Sequence, residues 1–459
     1  MEVKKLMGLS PLFMTVFLHS YSTFMVIPAI TDVTMSAICP GEDECSIAIY
    51  LTGIQQVLVG MGTLVMMPLI GNLSDKYGRK ALLTIPMTLT IIPLAILAYN
   101  RTKNYFYAYY ALRTLTSMLC EGSVQCLALA YVADNIPENR RTSAFGILSG
   151  ITSTAFVAGN LSARFISTPL TFQVSAVGAM IATVYMRVFL PESIADVGVS
   201  ALHSTKGDVN ISLLEEDKTS VKIFKTMPSF HDSVSLLRSS VTFWQTAIVA
   251  FLVGIGDVAL GDSILYYLRS TFHFNKDQFA DLMIIAGFGG IISQMILMPM
   301  LAPVIAEEKL LSIGLFFACA HMFLYSIAWS PWVPYAAAMF NVLSVFAQPA
   351  LRSIASKQVG PHEQGKAQGC ISGLGSFANI LSPLVFSPLT ALFLSGNPPF
   401  HFPGFSIACA GFAVMIAFAQ SIMIKSAPPV SSSKSSSNCD CVEPVSSSKS
   451  SSNCDCVEP

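Results

Sequence analysis

The stretch VLVGMGTLVMMPLIGNLSDKYGRKALLTIPMTLTIIPLAILAY, residues 57–99, places two long apolar runs on either side of a polar, basic segment at 71–80. A helix of about twenty apolar residues crosses the roughly 30 Å hydrocarbon core of a bilayer. The first run extends back to residue 47 and the second covers 81–99, so both reach about that length. The stretch therefore predicts two membrane-spanning helices joined by a short polar connection.

Similar apolar runs recur along the chain of 459 residues, of which 53% are hydrophobic and 12% charged. A soluble domain carries about a quarter charged residues, so this composition excludes a water-exposed surface. Backbone groups in lipid must be paired within their own segment, and unbroken apolar runs exclude alternating barrel strands. We predict an all-α integral membrane protein with twelve transmembrane helices in two six-helix bundles. The predicted spans are 9–30, 47–70, 81–99, 105–130, 143–164, 169–190, 243–268, 279–303, 310–329, 332–355, 367–394 and 403–424.

A Ser-, Asp-, Glu- and Lys-rich stretch divides the spans six and six, which predicts a linker between two domains. The predicted parts are an N-terminal bundle at 1–190, a cytosolic linker at 191–240, a C-terminal bundle at 241–424 and a disordered tail at 425–459. The tail contains VSSSKSSSNCDCVEP twice. Its cysteines could bind a soft metal or carry palmitate, but duplication of a tolerated tail is the simpler interpretation.

Two motifs indicate an internal duplication. Pro137 followed by Gly146 and Gly150 matches Pro361 followed by Gly369 and Gly373, about 223 residues further along the chain. Duplication of a six-helix unit is typical of transporters.

The positions of the 26 Lys and Arg residues orient the chain. With a cytosolic N-terminus, most of them lie on the cytosolic side, and both termini are cytosolic. The exceptions are Arg101, Lys103, Arg164, Arg269 and Lys276 outside, and Arg113 within span four. Cys39 and Cys45 then lie on the opposite side of the membrane. The sequence is equally consistent with a local disulfide between them and with two free thiols. The sequence does not distinguish the plasma membrane from an endomembrane.

The connection after span two reads GNLSDKYGRK, from Gly71 to Lys80. Gly71 permits close helix approach, Gly78 permits a tight turn, and Arg79 and Lys80 add cytosolic positive charge. This segment resembles the G-x-L-x-D-x-x-G-R-K motif of the major facilitator superfamily.

A second cluster, AYVAD ending at Asp134 and followed by Arg140 and Arg141, extends the resemblance. Together the motifs are similar to the tetracycline-exporter-like branch, and most similar to the eukaryotic hippocampus-abundant-transcript-like proteins. The resemblance implies that Asp75 faces the N-terminus of span eleven and latches the two halves together on the cytosolic side. The matching connection in the second half, residues 300–309, lacks the motif's Asp, Gly and Arg, so we expect a one-sided latch.

Ionisable residues inside the spans are expensive, at roughly 2.5–3.5 kcal/mol each at mid-bilayer, and therefore mark functional candidates. Span four contains Arg113 and Glu121, and span seven contains Asp257 and Asp262. His19 lies in a polar patch of span one. We predict that Arg113 holds a polar or anionic substrate group and that Glu121 or Asp257 exchanges a proton. Structural ion pairing, or a buried histidine, is the alternative for each.

No nucleotide-binding loop, zinc-spaced ligand set or catalytic nucleophile motif occurs, so we expect no enzyme activity, metal or cofactor. A net charge of −1 gives no indication of nucleic-acid binding. We therefore predict a monomeric secondary transporter that moves a small molecule across the bilayer. We expect an ion gradient to drive it, with protons as the coupling ion. Span five lacks the Gly-Pro of drug antiporters, which leaves the direction open. A non-transporting receptor or cargo adaptor is the competing hypothesis.

Overall fold

The computed structural model is helical throughout its regular structure over the residues it describes. Those residues are 8–38, 46–193, 236–238, 240–274, 276–394 and 398–424. The candidate disulfide Cys39–Cys45, the predicted tail and most of the predicted linker lie outside them. The all-α membrane fold predicted from the apolar runs is confirmed.

The first half of the chain forms six helices, the fourth of which is interrupted. They are α1 (Ser10–Ile38), α2 (Ser46–Tyr77), α3 (Arg79–Tyr99), α4a (Lys103–Cys120), α4b (Ser123–Asn135), α5 (Arg141–Phe165) and α6 (Thr168–Phe189). The α2 helix continues through most of the polar motif, and Gly78 alone separates it from α3. With a φ of 91°, Gly78 has a backbone conformation that a side chain disfavours.

The second half repeats this arrangement with different interruptions. Its helices are α7 (Val241–Phe272), α8a (Lys276–Ile292), α8b (Met298–Leu301), α9 (Glu307–Ser326), α10a (Val333–Ser344), α10b (Ala347–Lys357), α11 (Gln364–Leu394) and α12 (Phe405–Met423). A π-helical turn, Ser293–Leu297, joins α8a to α8b.

Eleven segments among the described residues are long and apolar enough to cross a bilayer. The predicted tenth span is missing from them because α10a has 12 residues and α10b only 11. Counted as one interrupted span, they complete the predicted twelve. The other interrupted span, α4, corresponds to α10 in the predicted duplication. Gly122, with a φ of 77°, forms its break.

Helices pack mainly within their own half. In the first half α1 packs on α5 and α6, and in the second half α7 packs on α11 and α12. Across the halves, α2 lies along α11, while α5 contacts α8 and α10b. These two lines of contact determine where a cavity can form between the halves.

The α2–α11 contact is built on glycines, which we call the glycine seam: Gly71, Gly365 and Gly369. The Gly71 backbone lies against the Gly365 carbonyl with no space for a Cβ, and a Cβ on Gly369 would lie 2.6 Å from the Met67 carbonyl oxygen. Small residues allow helix backbones to approach this closely in membranes. The seam therefore holds the two halves together at the end of α2 that carries Asp75, which we call the latch face.

We expect Gly369→Ala to separate the halves at the latch face, because overpacking a tight contact costs about 1–3 kcal/mol. Spin labels at Lys76 and Lys309, exposed near the latch face on opposite halves, would report a longer distance by pulsed EPR. Gly375→Ala is the matched control, since a Cβ on Gly375 meets open space on the same helix. Equal distances in both variants would refute the seam's role.

Candidate functional site

A cavity of about 770 Å³ lies between the two halves, and helices of both halves form its wall. Its ionisable wall residues are Arg113, Glu121, Asp257, Asp262 and Arg352. Its neutral polar wall residues are Gln55, Gln56, Thr63, Ser117, Gln125, Gln348, Ser372, Ser376 and Asn379. A site lined this way can surround a polar solute with hydrogen-bonding groups and charges of both signs.

Four of the charged residues singled out in the sequence meet at this cavity. Arg113 and Glu121 come from α4a and the α4 break, and Asp257 and Asp262 from α7. His19 lies apart, in a side chamber of about 250 Å³ behind α4. Arg113 and Glu121 line both spaces, so the chamber and the cavity adjoin at α4.

Glu121 occupies the break of α4 rather than the face of a continuous helix. Its backbone is extended, with ψ 129°, and the left-handed Gly122 follows. The side chain is exposed to the cavity although it lies in the middle of a span. A continuous helix would place Glu121 about 12 Å along its axis from Arg113. The break changes the direction of the chain at that point, so a continuous-helix spacing does not apply.

The two α7 carboxyls differ in their surroundings. Asp257 is exposed to the cavity, and Gln348 of α10b is its hydrogen-bond partner. Asp262 is half-buried, and its Oδ2 atom is buried without a hydrogen-bond partner. A buried acceptor left unpaired is costly, at roughly 1–3 kcal/mol. Neither carboxyl therefore has the complete set of partners expected of a purely structural residue.

Arg352 on α10b is a cavity residue that sequence reasoning missed. It was grouped with the cytosolic basic residues because it lies near the end of predicted span ten. Its Nη1 atom donates to Gln368 Oε1 and Ser372 Oγ, both at 3.2 Å, and Gln368 Nε2 donates to the Arg352 carbonyl at 3.2 Å. The signal that could have revealed it is Gln348, four residues earlier and hence on the same helix face.

The charged groups of the cavity are not paired with one another. Among the described residues, the ion pairs lie elsewhere, around Arg79, Arg141, Lys357 and Lys366. Leaving charges of both signs unpaired inside a membrane protein is unfavourable unless water or a ligand solvates them. The cavity is therefore suited to bind a charged or strongly polar molecule.

The first closure of the latch face centres on Asp75. Its two carboxylate oxygens accept the backbone N–H groups of Gly365 at 2.9 Å and Lys366 at 2.8 Å, at the start of α11. Arg79, whose side chain is fully buried, donates to Asp75 at 2.5 Å and to Asp134 at 2.9 Å. Helix N-termini have unpaired N–H groups and a partial positive charge, so a carboxylate binds well there.

Glu192 supports this closure from the end of α6. Its Oε1 atom accepts the backbone N–H of Arg79 at 2.7 Å, and its Oε2 atom accepts that of Lys80 at 3.2 Å. A Cβ on Gly78 would lie 2.7 Å from the same carboxylate. Glu192 therefore caps α3 at the turn where glycine is required.

A second closure joins the start of α5 to the second half. Thr142 donates to Glu307 Oε1 at 2.6 Å, and Lys357 pairs with Glu307 Oε2 at 2.8 Å. Arg141 Nη1 donates to the Ser356 hydroxyl at 3.1 Å. Arg140 ends the short 3₁₀ turn Glu138–Arg140 just before α5.

The expectation of a one-sided latch was therefore wrong. Glu307 begins α9 as Arg79 begins α3. Lys357 lies at the end of α10b as Asp134 lies near the end of α4b, and each pairs with the residue that begins the preceding odd-numbered helix of its half. The base and the acid are exchanged between the two pairs. The motif is absent from the second half, but a closure of reversed polarity is present.

We expect Asp75→Asn to open the latch face, because an amide keeps only one of the two acceptor oxygens and leaves buried Arg79 short of one charge. Breaking a buried pair costs about 3–5 kcal/mol. The Lys76–Lys309 spin-label distance should lengthen. Glu363→Gln is the control, since Glu363 pairs with Lys366 at the surface; a distance unchanged in Asp75→Asn would contradict the prediction.

We also expect Glu307→Gln to add to the effect of Asp75→Asn, because the two closures hold different pairs of helices. The double variant should populate the open distance more than either single variant. Glu308→Gln, at the neighbouring position, should leave the distance distribution as in the wild type. If Glu307→Gln behaves like Glu308→Gln, the second closure contributes nothing to holding the halves together.

Comparisons with known proteins agree with this architecture. The hippocampus abundant transcript 1 protein of Mus musculus is 24% identical over 348 residues, which are 75% of this chain and 66% of that relative. This chain thus spans slightly less than two thirds of that protein's length. The class E tetracycline resistance protein of Escherichia coli is 23% identical over 338 residues, covering 73% of this chain and 77% of that protein.

Two solved structures share the fold. The human organic anion transporter MFSD10 superposes with a TM-score of 0.72 at 16% identity, over 90% of this chain and 98% of that one. The Escherichia coli fucose:proton symporter superposes with a TM-score of 0.64 at 13% identity, over 92% of this chain and 100% of that one. The Major Facilitator Superfamily model matches residues 12–383. The chain belongs to the major facilitator superfamily, a family of multi-pass membrane transporters, as its motifs indicated.

Proposed function

We propose that this protein is a secondary active transporter that moves a small organic solute by alternating access and couples the movement to protons. The observation that carries the proposal is the cavity between the halves, where unpaired charges of both signs meet behind two closures. In a structural ion pair the two opposite charges would be in contact, but within the part of the chain that the structure describes no ion pair joins the charged residues of this cavity. A solute can therefore bind between them.

Alternating access requires that the closures of one face can open. Both closures consist of a few hydrogen bonds and ion pairs between helices of opposite halves, so a rigid-body movement of the halves can break them together. With both termini in the cytosol, the latch face is cytosolic and the cavity faces the other side. This arrangement is the outward-facing state.

Proton coupling needs a carboxyl that the cavity can reach in one state. Glu121 and Asp257 meet this requirement, because both are exposed to the cavity although they lie in the middle of their spans. Arg113 and the neutral side chains around it are suited to hold a polar solute. The names of the relatives, a tetracycline resistance protein, an organic anion transporter and a fucose:proton symporter, support a small organic molecule.

The test is flux in proteoliposomes that hold the purified full chain and a pH-sensitive dye in the lumen. A panel of solutes is added with and without an imposed pH gradient, and a transported solute changes the lumenal pH. We expect Glu121→Gln or Asp257→Asn to abolish the solute-dependent pH change, and Arg113→Ala to reduce uptake at least tenfold.

The matched control is Asp281→Asn, which neutralises an exposed carboxyl of α8a outside the cavity wall and should leave flux unchanged. If folded protein gives no flux with any solute, the transporter proposal is refuted and the receptor or adaptor hypothesis takes its place. If flux persists without proton movement in the wild type, transport stands and proton coupling is refuted.

A further inference from the structure

We infer that the Arg352 guanidinium anchors an oxyanion of the transported solute, and that the solute is a small organic carboxylate. The inference rests on the proposed function, because it names the substrate class of the same cavity. It differs from the role predicted for Arg113, since it places the anionic group near the latch face rather than in the outer part of the cavity.

The first argument is that Arg352 is held in position. Gln368, which is fully buried, binds the guanidinium through its oxygen and the Arg352 carbonyl through its nitrogen. Ser372 accepts a second hydrogen bond from the same Nη1 atom. These bonds orient the guanidinium before any ligand arrives, which reduces the entropy lost when a ligand binds.

The second argument is that Nε and Nη2 of Arg352 are left for a ligand. The hydrogen bonds described for its side chain all come from Nη1, and Arg352 lines the cavity. We assign the Nε and Nη2 donors to the ligand on that ground. Among the described residues no carboxylate forms an ion pair with Arg352. A planar guanidinium with adjacent free N–H groups matches a carboxylate, which it can bind through two parallel bonds.

The neighbouring wall favours an anion at the same level. The α4b helix begins at Gly122, which provides no side-chain cap, and both Gly122 and Gln125 line the cavity. The uncapped N–H groups of this first turn add a partial positive charge to the cavity wall near Ser372, with which Cys126 of α4b is hydrogen-bonded. Gln348 and Ser372 provide neutral hydrogen bonds around the proposed position.

The charge balance of the wall links the anion to protons. The cavity wall contains the five ionisable residues Arg113, Arg352, Glu121, Asp257 and Asp262, while α2 and α11 contribute neutral residues only. Two further titratable groups lie behind this wall: His19 in the side chamber bordered by Arg113, and Cys126 beside Ser372. With all five groups ionised, the wall has one net negative charge and repels an anion. Protonation of one carboxyl makes the wall neutral, and protonation of a second makes it positive. An anion therefore binds together with a proton, and the two move in the same direction.

The experiment measures binding to the purified full chain with a panel of carboxylates, each paired with its neutral amide, by the shift in thermal unfolding midpoint as concentration rises. We expect at least one carboxylate to bind at least tenfold tighter than its amide, and more tightly at pH 5.5 than at pH 7.5. Sulfonate and phosphate analogues of the best carboxylate test whether the planar oxyanion is preferred.

Arg352→Gln should reduce carboxylate affinity at least tenfold and leave amide affinity within twofold. Arg352→Lys keeps the charge, is less disruptive to packing and should also lose at least tenfold, because an ammonium lacks the planar pair of donors. Arg187→Gln, at an exposed position outside the cavity wall, is the control and should bind as the wild type does. Asp257→Asn should reduce the pH dependence.

Equal binding of carboxylates and amides, or carboxylate binding retained in both Arg352 variants, overturns the inference. Proteoliposome flux separates this failure from failure of the proposed function. Transport of a neutral solute that Arg352→Gln retains leaves a transporter whose substrate is not an anion. Arg352-dependent carboxylate binding without flux of any solute leaves the anion site standing and refutes transport.

Discussion

The Asp75 carboxylate accepts two N–H groups at the start of α11 while it pairs with Arg79 of its own half, and the rest of the architecture is arranged around this contact. Arg79 is fully buried, so its charge must be matched within the protein. Asp75 and Asp134 provide that match. The glycine seam brings α11 close enough for Asp75 to reach its backbone. Removing any one of these parts leaves a buried charge or an unpaired helix terminus.

Two populations of charge with different surroundings follow from this constraint. At the latch face, Arg79, Arg141 and Glu307 are buried and bonded across or within the halves. In the cavity, Glu121 and Asp257 are exposed to a space large enough for a solute. The paired group fixes one arrangement of the halves. The unpaired charges of the cavity let a bound ligand shift the balance between arrangements of the halves. The ligand changes the free energy of the cavity, whereas the closures are not in contact with it.

Much of the fold was predictable, because membrane burial requires long apolar runs that the sequence displays. The Gly122 break in α4 had a local signal, and so did the α10 break. Pro349 has no N–H to donate to the Val345 carbonyl, which is where a continuous helix would be interrupted. The resemblance to the family motif implied where Asp75 would lie, and its partners there are backbone N–H groups of Gly365 and Lys366.

The missed parts depend on contacts between residues that are far apart in sequence. Arg352 was assigned to the cytosolic side because span boundaries are uncertain by a turn, and one turn separates the cavity from the latch face. The second closure uses a threonine hydroxyl on Glu307, and neither residue type marks such a contact in sequence. The Glu307–Lys357 pair corresponds to the Arg79 pairs of the first half with the charges exchanged. A comparison of residue types between the two halves does not reveal such a pair, because an acid stands where the other half has a base.

The two closures differ in their contact with water, and this difference makes them unequal in their sensitivity to dissolved ions. The Lys357 side chain is 30% exposed where it meets Glu307, whereas Arg79 is 0% exposed. Mobile ions screen charges at the surface over about 8 Å at physiological ionic strength but do not enter a dry contact. Concentrated salt therefore weakens the Lys357–Glu307 pair that supports the α5 side of the latch face, while the Arg79 contacts on the α11 side keep their strength.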